Sequence, residues 1–259
     1  MKKTIAQAIL FTSFFFISIS FCVAQAYELS LDNRPIFSAK KTTNKITVDG
    51  LADEKDWQKT EARTLNYFYL TQQPYDKQKT TFRMLWDDET LYLLFECEDK
   101  YLTSSEKERD GEPYLDDCAE FFVIPAPKST IAHFCFEINL YETKNDVLYI
   151  NNFYENQDTA IKAYNPNYQV KVTYEGTMNN NDDVDNGWIM ELAIPIKALS
   201  RTSELYPIKT GTRWAFTALR QERNELEIGR RVISTIFPIE DISKKVHQPN
   251  TFGIVEFID

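Results

Sequence analysis

The chain has 259 residues, of which 39 are acidic and 29 are basic, so its formal net charge is −10. Basic residues occur only singly or in isolated pairs such as Lys40-Lys41 and Arg230-Arg231, which argues against a nucleic-acid partner. With seven glycines and two histidines, the sequence has no glycine-rich phosphate loop, no Gly-x-Ser-x-Gly nucleophile elbow and no HExxH-type metal motif.

The first residues have the pattern of a secretory signal peptide. Lys2 and Lys3 precede an apolar run that ends in the small-residue segment Ala24-Gln25-Ala26. The run is too short and too interrupted by serine to predict a membrane span. We therefore expect residues 1–26 to be removed and the protein to be secreted, periplasmic or at the cell surface. A lipoprotein anchor at Cys22 is the alternative.

The remainder of the chain is expected to form one domain. Residues 27–44 show no clear pattern and are predicted to be an extended N-terminal lead-in. Residues 45–259 contain no repeat, Pro-rich linker or low-complexity tract. A β-sandwich of about 200 to 250 residues commonly has a single core, so this length is compatible with one domain.

Short β-branched and aromatic runs separated by polar turns predict an all-β protein. The spacing favours an antiparallel β-sandwich of two packed sheets with about eleven short strands. One or two short helices are expected, near Asp53 to Trp57 and Ile196 to Leu199. The predicted strands are Lys45–Val48, Thr80–Trp86, Leu91–Glu98, Ala119–Ile124, His133–Leu140, Val147–Asn152, Gln169–Glu175, Trp188–Ile194, Arg213–Arg220, Val232–Ile236 and Phe252–Phe257.

The longest polar insert, residues 179–187, carries three acids that are candidate ligands for a structural calcium ion: Asp182, Asp183 and Asp185. The insert does not follow the EF-hand pattern. Asn, Asp and Gly are also what any solvated turn between two strands requires, so an ordinary loop is the alternative. Calcium is the one cofactor that the sequence suggests.

Three cysteines remain after the predicted cleavage, and all of them lie in apolar strand-like runs. Their odd number and wide spacing predict neither a disulfide framework nor a zinc site. We expect Cys97, Cys118 and Cys135 to be buried free thiols. A Cys118–Cys135 bridge between neighbouring strands is the alternative.

The acids Asp116, Asp117 and Glu120 are the best candidates for chemistry. Glycosidases use two carboxylates a few ångströms apart across a glycosidic bond. Consecutive strand residues point to opposite faces, so Asp116 and Glu120 would share one face and Asp117 the other. The same acids can instead accept hydrogen bonds from sugar hydroxyls or begin a strand. A hydrolase that uses Asp117 and Glu120 therefore stays open at this point.

Several separated segments, in the correct order, resemble the family 9 carbohydrate-binding modules over roughly residues 45 to 257. They are Ile46-Thr47-Val48-Asp49-Gly50 followed by Trp57, Leu85-Trp86-Asp87-Asp88 with Leu91-Tyr92, the run from Pro113 to Phe122, Gly187-Trp188-Ile189-Met190-Glu191 through Ile194-Pro195, Gly211 through Arg220, and Pro249-Asn250-Thr251-Phe252-Gly253. The four tryptophans match structural motifs, and we expect all of them in the core.

The resemblance implies a sugar clamped between two aromatic rings, which fall here on Tyr114 and Phe237 in place of tryptophan. The alternative for Phe237 is simple core packing. The resemblance implies that Glu120 and Asn139 make polar contacts to the sugar. The acid Asp117 is a further candidate for such a contact. Glu137 occupies a position where family members have a sugar-holding arginine, and a reversed charge cannot make the same bonds.

Arg220 is our candidate for the cation that compensates for Glu137. Glu191, an acid on an otherwise apolar strand, is expected to pair with a basic residue or an ion.

The resemblance implies a non-catalytic module that recognises plant-type polysaccharides or oligosaccharides, with xylan and cellulose chains as the family ligands. Such a module would take part in carbohydrate catabolism, with glycan-degrading enzymes as partners. One alternative is the glycoside-acting hydrolase with the acidic pair. Another is a sandwich repurposed to bind protein or haem, although suitable Met and His ligands for haem are lacking.

Overall fold

The computed structural model describes residues 29–69, 77–125, 132–154, 157–199, 207–223, 231–239 and 241–259. The predicted signal peptide and Cys22 lie outside these residues. The strands are β1 (Ile36–Lys41), β2 (Ala62–Thr64), β3 (Tyr67–Tyr69), β4 (Thr80–Trp86), β5 (Thr90–Glu98), β6 (Cys118–Ile124), β7 (Ala132–Asn139), β8 (Lys144–Tyr154), β9 (Gln157–Ile161), β10 (Gln169–Glu175), β11 (Gly187–Pro195), β12 (Arg213–Arg223), β13 (Arg231–Thr235) and β14 (Gly253–Ile258).

The all-β prediction is confirmed, but the expected helices are only single 3₁₀ turns. Within the described ranges the helical segments are Pro113–Leu115, Lys162–Tyr164, Ile196–Leu199 and Pro249–Thr251. The predicted helix at Ile196 to Leu199 is therefore present in 3₁₀ form. The segment near Asp53 to Trp57 forms turns instead of a helix.

The strands of the described residues form one mixed 14-stranded sheet, whereas the sequence predicted two packed antiparallel sheets. Its order is β10-β11-β5-β4-β1-β14-β12-β6-β7-β8-β9, with β2 beside β4, β13 beside β12 and β3 beside β13. Strand β1 pairs in parallel with both β14 and β4. The lead-in therefore supplies the strand that connects the two halves of the sheet, which the sequence did not predict.

The two halves pack face to face and form a sandwich. The ring of Phe82 on β4 lies 6.3 Å from that of Phe121 on β6 and 6.0 Å from that of Phe216 on β12. Phe37 on β1 also contacts Phe216, at 5.7 Å. These fully buried rings belong to one core that reaches from Phe37 to Phe257.

Ten of the eleven predicted strands overlap an observed strand, and Lys45–Val48 does not. Those residues lie in a loop that is held by the buried acid Glu191. The Glu191 carboxylate accepts hydrogen bonds from the backbone N–H of Asp49 (3.0 Å) and Gly50 (2.8 Å) and from the Trp57 indole (3.1 Å). Ile46 is buried without a strand partner, so tertiary packing overrides its β-propensity. Within the described residues the partners of Glu191 are these neutral donors, and no basic side chain forms an ion pair with it.

The tryptophan and cysteine predictions are confirmed. Trp57, Trp86, Trp188 and Trp214 are 1–2% exposed, and Cys97, Cys118 and Cys135 are buried free thiols. Cys118 pairs across the sheet with Asn139 and Cys135 with Phe122, so the two cysteines are not opposite each other and the Cys118–Cys135 alternative was wrong. None of the described segments is a helix long and apolar enough to cross a membrane.

Candidate sugar site on the outer face of the sheet

A cavity of about 480 Å³ lies on the outer face of the half of the sheet that contains β6, β7, β8 and β12. We call it the Tyr114 pocket. Its lining combines tyrosine rings, carboxyl and amide groups, and cationic side chains. The tyrosines are Tyr69, Tyr114 and Tyr149, the carboxyl and amide groups belong to Glu120, Glu137, Asn145 and Gln221, and the cationic side chains are Lys162, Arg231 and Lys245. The imidazole of His247 also lines the pocket.

The strand register brings the polar residues of this pocket together. Glu120 on β6 lies opposite Glu137 on β7, and Glu137 lies opposite Asn145 on β8. Residues that are directly opposite in neighbouring strands point to the same face of a sheet. Gln221, two residues beyond the partner of Glu120 on β12, shares that face because side chains alternate along a strand. Four residues far apart in sequence thus form one polar surface.

These polar groups are linked by short hydrogen bonds. Arg231 Nε donates to Gln221 Oε1 (2.6 Å), and Gln221 Nε2 donates to Glu120 Oε1 (2.6 Å). Asn145 Nδ2 donates to Glu137 Oε2 (2.6 Å). Asn145 Oδ1 is buried, and no group in the described part of the chain donates to it. A buried acceptor without a donor costs free energy, so Asn145 Oδ1 is suited to accept a hydrogen bond from a ligand.

The two glutamates of the pocket hold protons more strongly than exposed acids do. Burial raises the pKa of Glu137, and it raises the pKa of Glu120 well above the usual range, with the nearby charge of Glu137 raising it further. Two carboxyl groups that share such a site rarely ionise together. A carboxyl group that holds its proton donates a hydrogen bond and an ionised one accepts, so the pair can serve both the donor and the acceptor side of sugar hydroxyls.

Aromatic rings form the walls of the pocket. Tyr114 lies half-buried on the 3₁₀ turn before β6, and its hydroxyl donates to Glu112 Oε1 (2.6 Å). On the other side, the ring of Tyr149 stacks on His247 with centroids 4.0 Å apart. Tyr69 donates a hydrogen bond to the backbone oxygen of Lys244, which holds the segment with His247 against the sheet.

The predicted second clamp ring, Phe237, is not in the pocket, so that prediction was wrong. Phe237 is 2% exposed and packs edge-on against Phe216 in the main core, with ring centroids 5.2 Å apart. The backbone of Gly253 lies so close that a Cβ there would be 2.4 Å from the Phe237 ring. Core packing, the alternative that the sequence left open, explains this residue.

Asp117 supports the backbone and does not contact the pocket. Its carboxylate is fully buried and accepts hydrogen bonds from the backbone N–H of Thr103 (2.7 Å) and of Arg223 (2.7 Å). Glu120 lines the pocket, whereas Asp117 is committed to these two segments. The acidic pair proposed for hydrolysis is therefore not brought together.

Asn139 is also a structural residue, contrary to the prediction of a sugar contact. Its Nδ2 donates to the backbone oxygen of Glu106 (2.8 Å) and to Asp116 Oδ2 (2.8 Å). Its Oδ1 accepts from the backbone N–H of Tyr141 (3.1 Å) and of Thr143 (3.0 Å). Its Oδ1 thus shapes the β7–β8 turn, and its Nδ2 ties that turn to the segment before β6.

Arg220 lies on the inner side of the sheet, so it does not supply the cation that we expected near Glu137. Its guanidinium is 1% exposed and pairs with Asp99 Oδ2 at 2.8 Å. It also donates to Thr80 Oγ1 (3.1 Å) and to the backbone oxygen of Glu98 (2.7 Å). The cations that do line the pocket are Arg231, Lys162 and Lys245.

Sequence analysis missed Tyr69, Tyr149, Asn145, Gln221 and Arg231 as pocket residues. Gln221 was detectable as a polar residue one position past a predicted apolar strand, and Arg231 as one position before another. Asn145 and Tyr149 become recognisable only when β8 is placed in register with β7. Of the predicted site residues, Tyr114, Glu120 and Glu137 line this one pocket, and their contact with a sugar stays a prediction.

The acids of the proposed calcium loop hold the loop together. Asp185 accepts hydrogen bonds from the backbone N–H of Leu102 (2.8 Å) and of Thr177 (2.7 Å). Asp183 accepts from the Thr177 hydroxyl (2.9 Å), and Asp182 is exposed. The described residues contain no group of three or more His, Cys, Asp or Glu side chains that could hold a metal ion.

Solved structures with similar folds include carbohydrate-binding proteins. A family 9 carbohydrate-binding module from Caldicellulosiruptor kristjanssonii, solved with glucose and with cellotriose, superposes with TM-scores of 0.57 and 0.58 at 18% identity. These matches cover 86% of this chain and 95% and 94% of the modules. A Bacteroides uniformis ATCC 8492 protein, provisionally named as carbohydrate-binding, gives a TM-score of 0.69 at 17% identity and covers 86% of this chain and 99% of its own.

Sequence comparison gives the family. Exoglucanase XynX of Acetivibrio thermocellus is 29% identical over 154 residues, which cover 57% of this chain and 11% of XynX. The chain thus matches only a small part of that relative. The model of the family described as "Carbohydrate family 9 binding domain-like" matches residues 48–259. Because this match covers most of the sequence, the chain belongs to the carbohydrate family 9 binding domain-like family.

Proposed function

We propose that this chain binds a carbohydrate in the Tyr114 pocket and does not cleave it. The observation that carries the proposal is the surface of Glu120, Glu137, Asn145 and Gln221 beside the tyrosine rings. A pyranose ring has apolar C–H faces, which pack on aromatic rings, and hydroxyl edges, which need polar partners. The pocket offers both, and Asn145 Oδ1 is a buried acceptor that a sugar hydroxyl would satisfy.

The arrangement of carboxyl groups supports binding over catalysis. Glycosidases hold their two carboxyl groups on opposite sides of the scissile bond. Glu120 and Glu137 instead lie directly opposite each other on one face of the sheet, where they approach a ligand from the same side. Gln221 and Asn145 also hold them in place. This geometry recognises hydroxyl groups and does not surround a glycosidic oxygen.

The comparisons suggest the class of ligand. The structural relatives were solved with glucose and cellotriose, and XynX is named as an exoglucanase. We therefore propose plant-type β-glucan or xylan oligosaccharides as a starting set. The N-terminal pattern supports export to the periplasm or cell surface. There, the module would act in carbohydrate catabolism with glycan-degrading enzymes.

Calorimetric titration of the purified chain with glucose, cellotriose and xylotriose tests the proposal, with product analysis on the same samples. We expect saturable binding and no cleavage. Tyr114→Ala should weaken binding by roughly tenfold, because an aromatic contact contributes about 0.5–1.5 kcal/mol beyond the burial of its surface.

Two control variants separate the pocket from the fold. Phe237→Leu should lower stability and leave affinity unchanged in the folded protein, because Phe237 lies in the core. Tyr174→Ala removes an exposed ring on β10, in the other half of the sheet, and should change neither. Sugar cleavage, or equal affinity in Tyr114→Ala and Tyr174→Ala, would contradict the proposal.

A further inference from the structure

The Tyr114 pocket carries more cationic than acidic side chains, although the whole chain has a net charge of −10. Arg231, Lys162 and Lys245 line it together with two acids, Glu120 and Glu137. Cations gathered at one cavity of an acidic protein raise the local concentration of anions. This local excess of positive charge is not needed to bind a neutral sugar.

Arg231 is positioned to bind an anionic group. Its Nε is fixed by the hydrogen bond to Gln221 Oε1 (2.6 Å), and its guanidinium carbon lies 6.0 Å from the centre of the Tyr114 ring. This hydrogen bond uses Nε and does not involve the two terminal nitrogens. A guanidinium presents two parallel N–H donors that match a planar carboxylate. The side chain is half-buried, so its orientation is restrained without being closed to a ligand.

The two lysines place further positive charge at the same pocket. Lys162 follows β9 and donates to the backbone oxygen of Asp110 (2.8 Å), which holds its ammonium in place. Lys245 is exposed on the segment that carries His247. Burial, and next the charge of Lys245, lower the pKa of His247 to about 4. His247 is therefore neutral at physiological pH and adds no positive charge to the pocket.

We propose that the Tyr114 pocket selects a glycan unit that carries a carboxylate, a uronic acid, with Arg231 as the residue that binds the carboxylate. This inference rests on the proposed function and specifies its ligand. In this arrangement, the sugar hydroxyls form hydrogen bonds with Glu120, Glu137 and Asn145. The carboxylate of the sugar lies towards Arg231 and the lysines.

The raised pKa values of Glu120 and Glu137 support this division of roles. A pair of carboxyl groups that retains a proton repels a uronate less than two ionised groups would. The three cations Arg231, Lys162 and Lys245 then outweigh the negative charge of the two acids.

The test compares uronic-acid oligosaccharides with their methyl esters, which keep the shape of the sugar and remove its charge. We would titrate the full chain with trigalacturonate and with a glucuronic-acid-substituted xylo-oligosaccharide, each beside its ester. At least one acid should bind roughly tenfold to a hundredfold tighter than its ester, the range expected for a charge-assisted bidentate contact. Added salt should weaken the binding of the acid and leave the binding of the ester unchanged.

Single substitutions then assign the selectivity. Arg231→Gln should remove most of the preference for the acid, and Lys245→Gln should reduce it by a few-fold, since an exposed charge is screened. The matched control Lys209→Gln removes an exposed lysine that is not part of the pocket and should leave the preference intact. Circular dichroism and thermal unfolding would verify that each variant is folded.

The outcomes separate this inference from the proposed function. If neutral sugars bind but no acid binds more tightly than its ester, the uronate inference is overturned and the proposed function stands. A preference for the acid that survives Arg231→Gln in a folded protein overturns the role of Arg231. If neither neutral nor acidic sugars bind, the proposed function fails as well.

Discussion

Arg220 and Gln221 are consecutive residues of β12 whose side chains lie on opposite faces of the sheet. Arg220 points into the sandwich and pairs with Asp99 at 2.8 Å, whereas Gln221 points into the Tyr114 pocket and donates to Glu120. Successive side chains of a strand point to opposite faces, so Arg220 is a structural residue while its neighbour Gln221 belongs to the pocket. The two roles can be tested independently.

Arg220→Met should strongly destabilise the protein. The substitution leaves the fully buried carboxylate of Asp99 without its cation, and loss of one partner of a buried ion pair typically costs about 3–5 kcal/mol of unfolding free energy. Chemical denaturation at neutral pH would measure the loss. The control Arg213→Ala removes an exposed pair with Glu256 and should cost less than about 1 kcal/mol. Equal losses of unfolding free energy in the two variants would show that the buried pair of Arg220 and Asp99 has no special importance for stability.

Glu137→Gln should make the protein less sensitive to alkaline pH. Burial raises the pKa of both Glu137 and Glu120 above the value in the unfolded chain. The native state therefore holds protons that the unfolded state releases, so stability falls as pH rises through and above the ordinary carboxyl range. The amide cannot ionise, and it also removes the charge that raises the pKa of Glu120.

Thermal unfolding between pH 4 and pH 8 measures this effect. We expect Glu137→Gln to gain stability relative to the parent as pH rises, and to lose that advantage below about pH 4, where the carboxyl is protonated in both states. Glu89→Gln, at an exposed acid in a turn, serves as the control and should show no such trend. A variant that loses stability relative to the parent at pH 8 would show that Glu137 is stabilised as an anion.

Asp185→Ala should destabilise the protein by the same amount with calcium and with a chelator. The substitution removes the acceptor of two backbone N–H groups, those of Leu102 and Thr177. Each unpaired buried donor costs about 1–3 kcal/mol. Asp182→Ala, at an exposed acid of the same loop, should change stability by less than about 0.5 kcal/mol. A calcium-dependent rise in the parent's melting temperature that Asp185→Ala abolishes would instead support a bound ion.

The amino-acid sequence determined the class of the fold and most of its strands. Runs such as Thr80–Trp86 and Gln169–Glu175 carry their own alternation and β-propensity, and both match the observed strands. The four tryptophans were predictable as core residues because each lies within or beside a predicted strand or helix and matches a structural motif of the family. Tyr114 and Glu120, which the family resemblance singled out in one short segment, both line the Tyr114 pocket.

The tertiary structure decided the partners of these strands and hence the pocket. Register between β6, β7 and β8 brings Glu120, Glu137 and Asn145 together, and no local pattern specifies which strands become neighbours. The same cause explains why Phe237 and Arg220 do not line the pocket. The sequence suggested that each contacts the sugar, but the packing of the two halves of the sheet turns both side chains inward. Strand propensity is local, whereas the face that a side chain presents to a ligand depends on contacts between residues far apart in the chain.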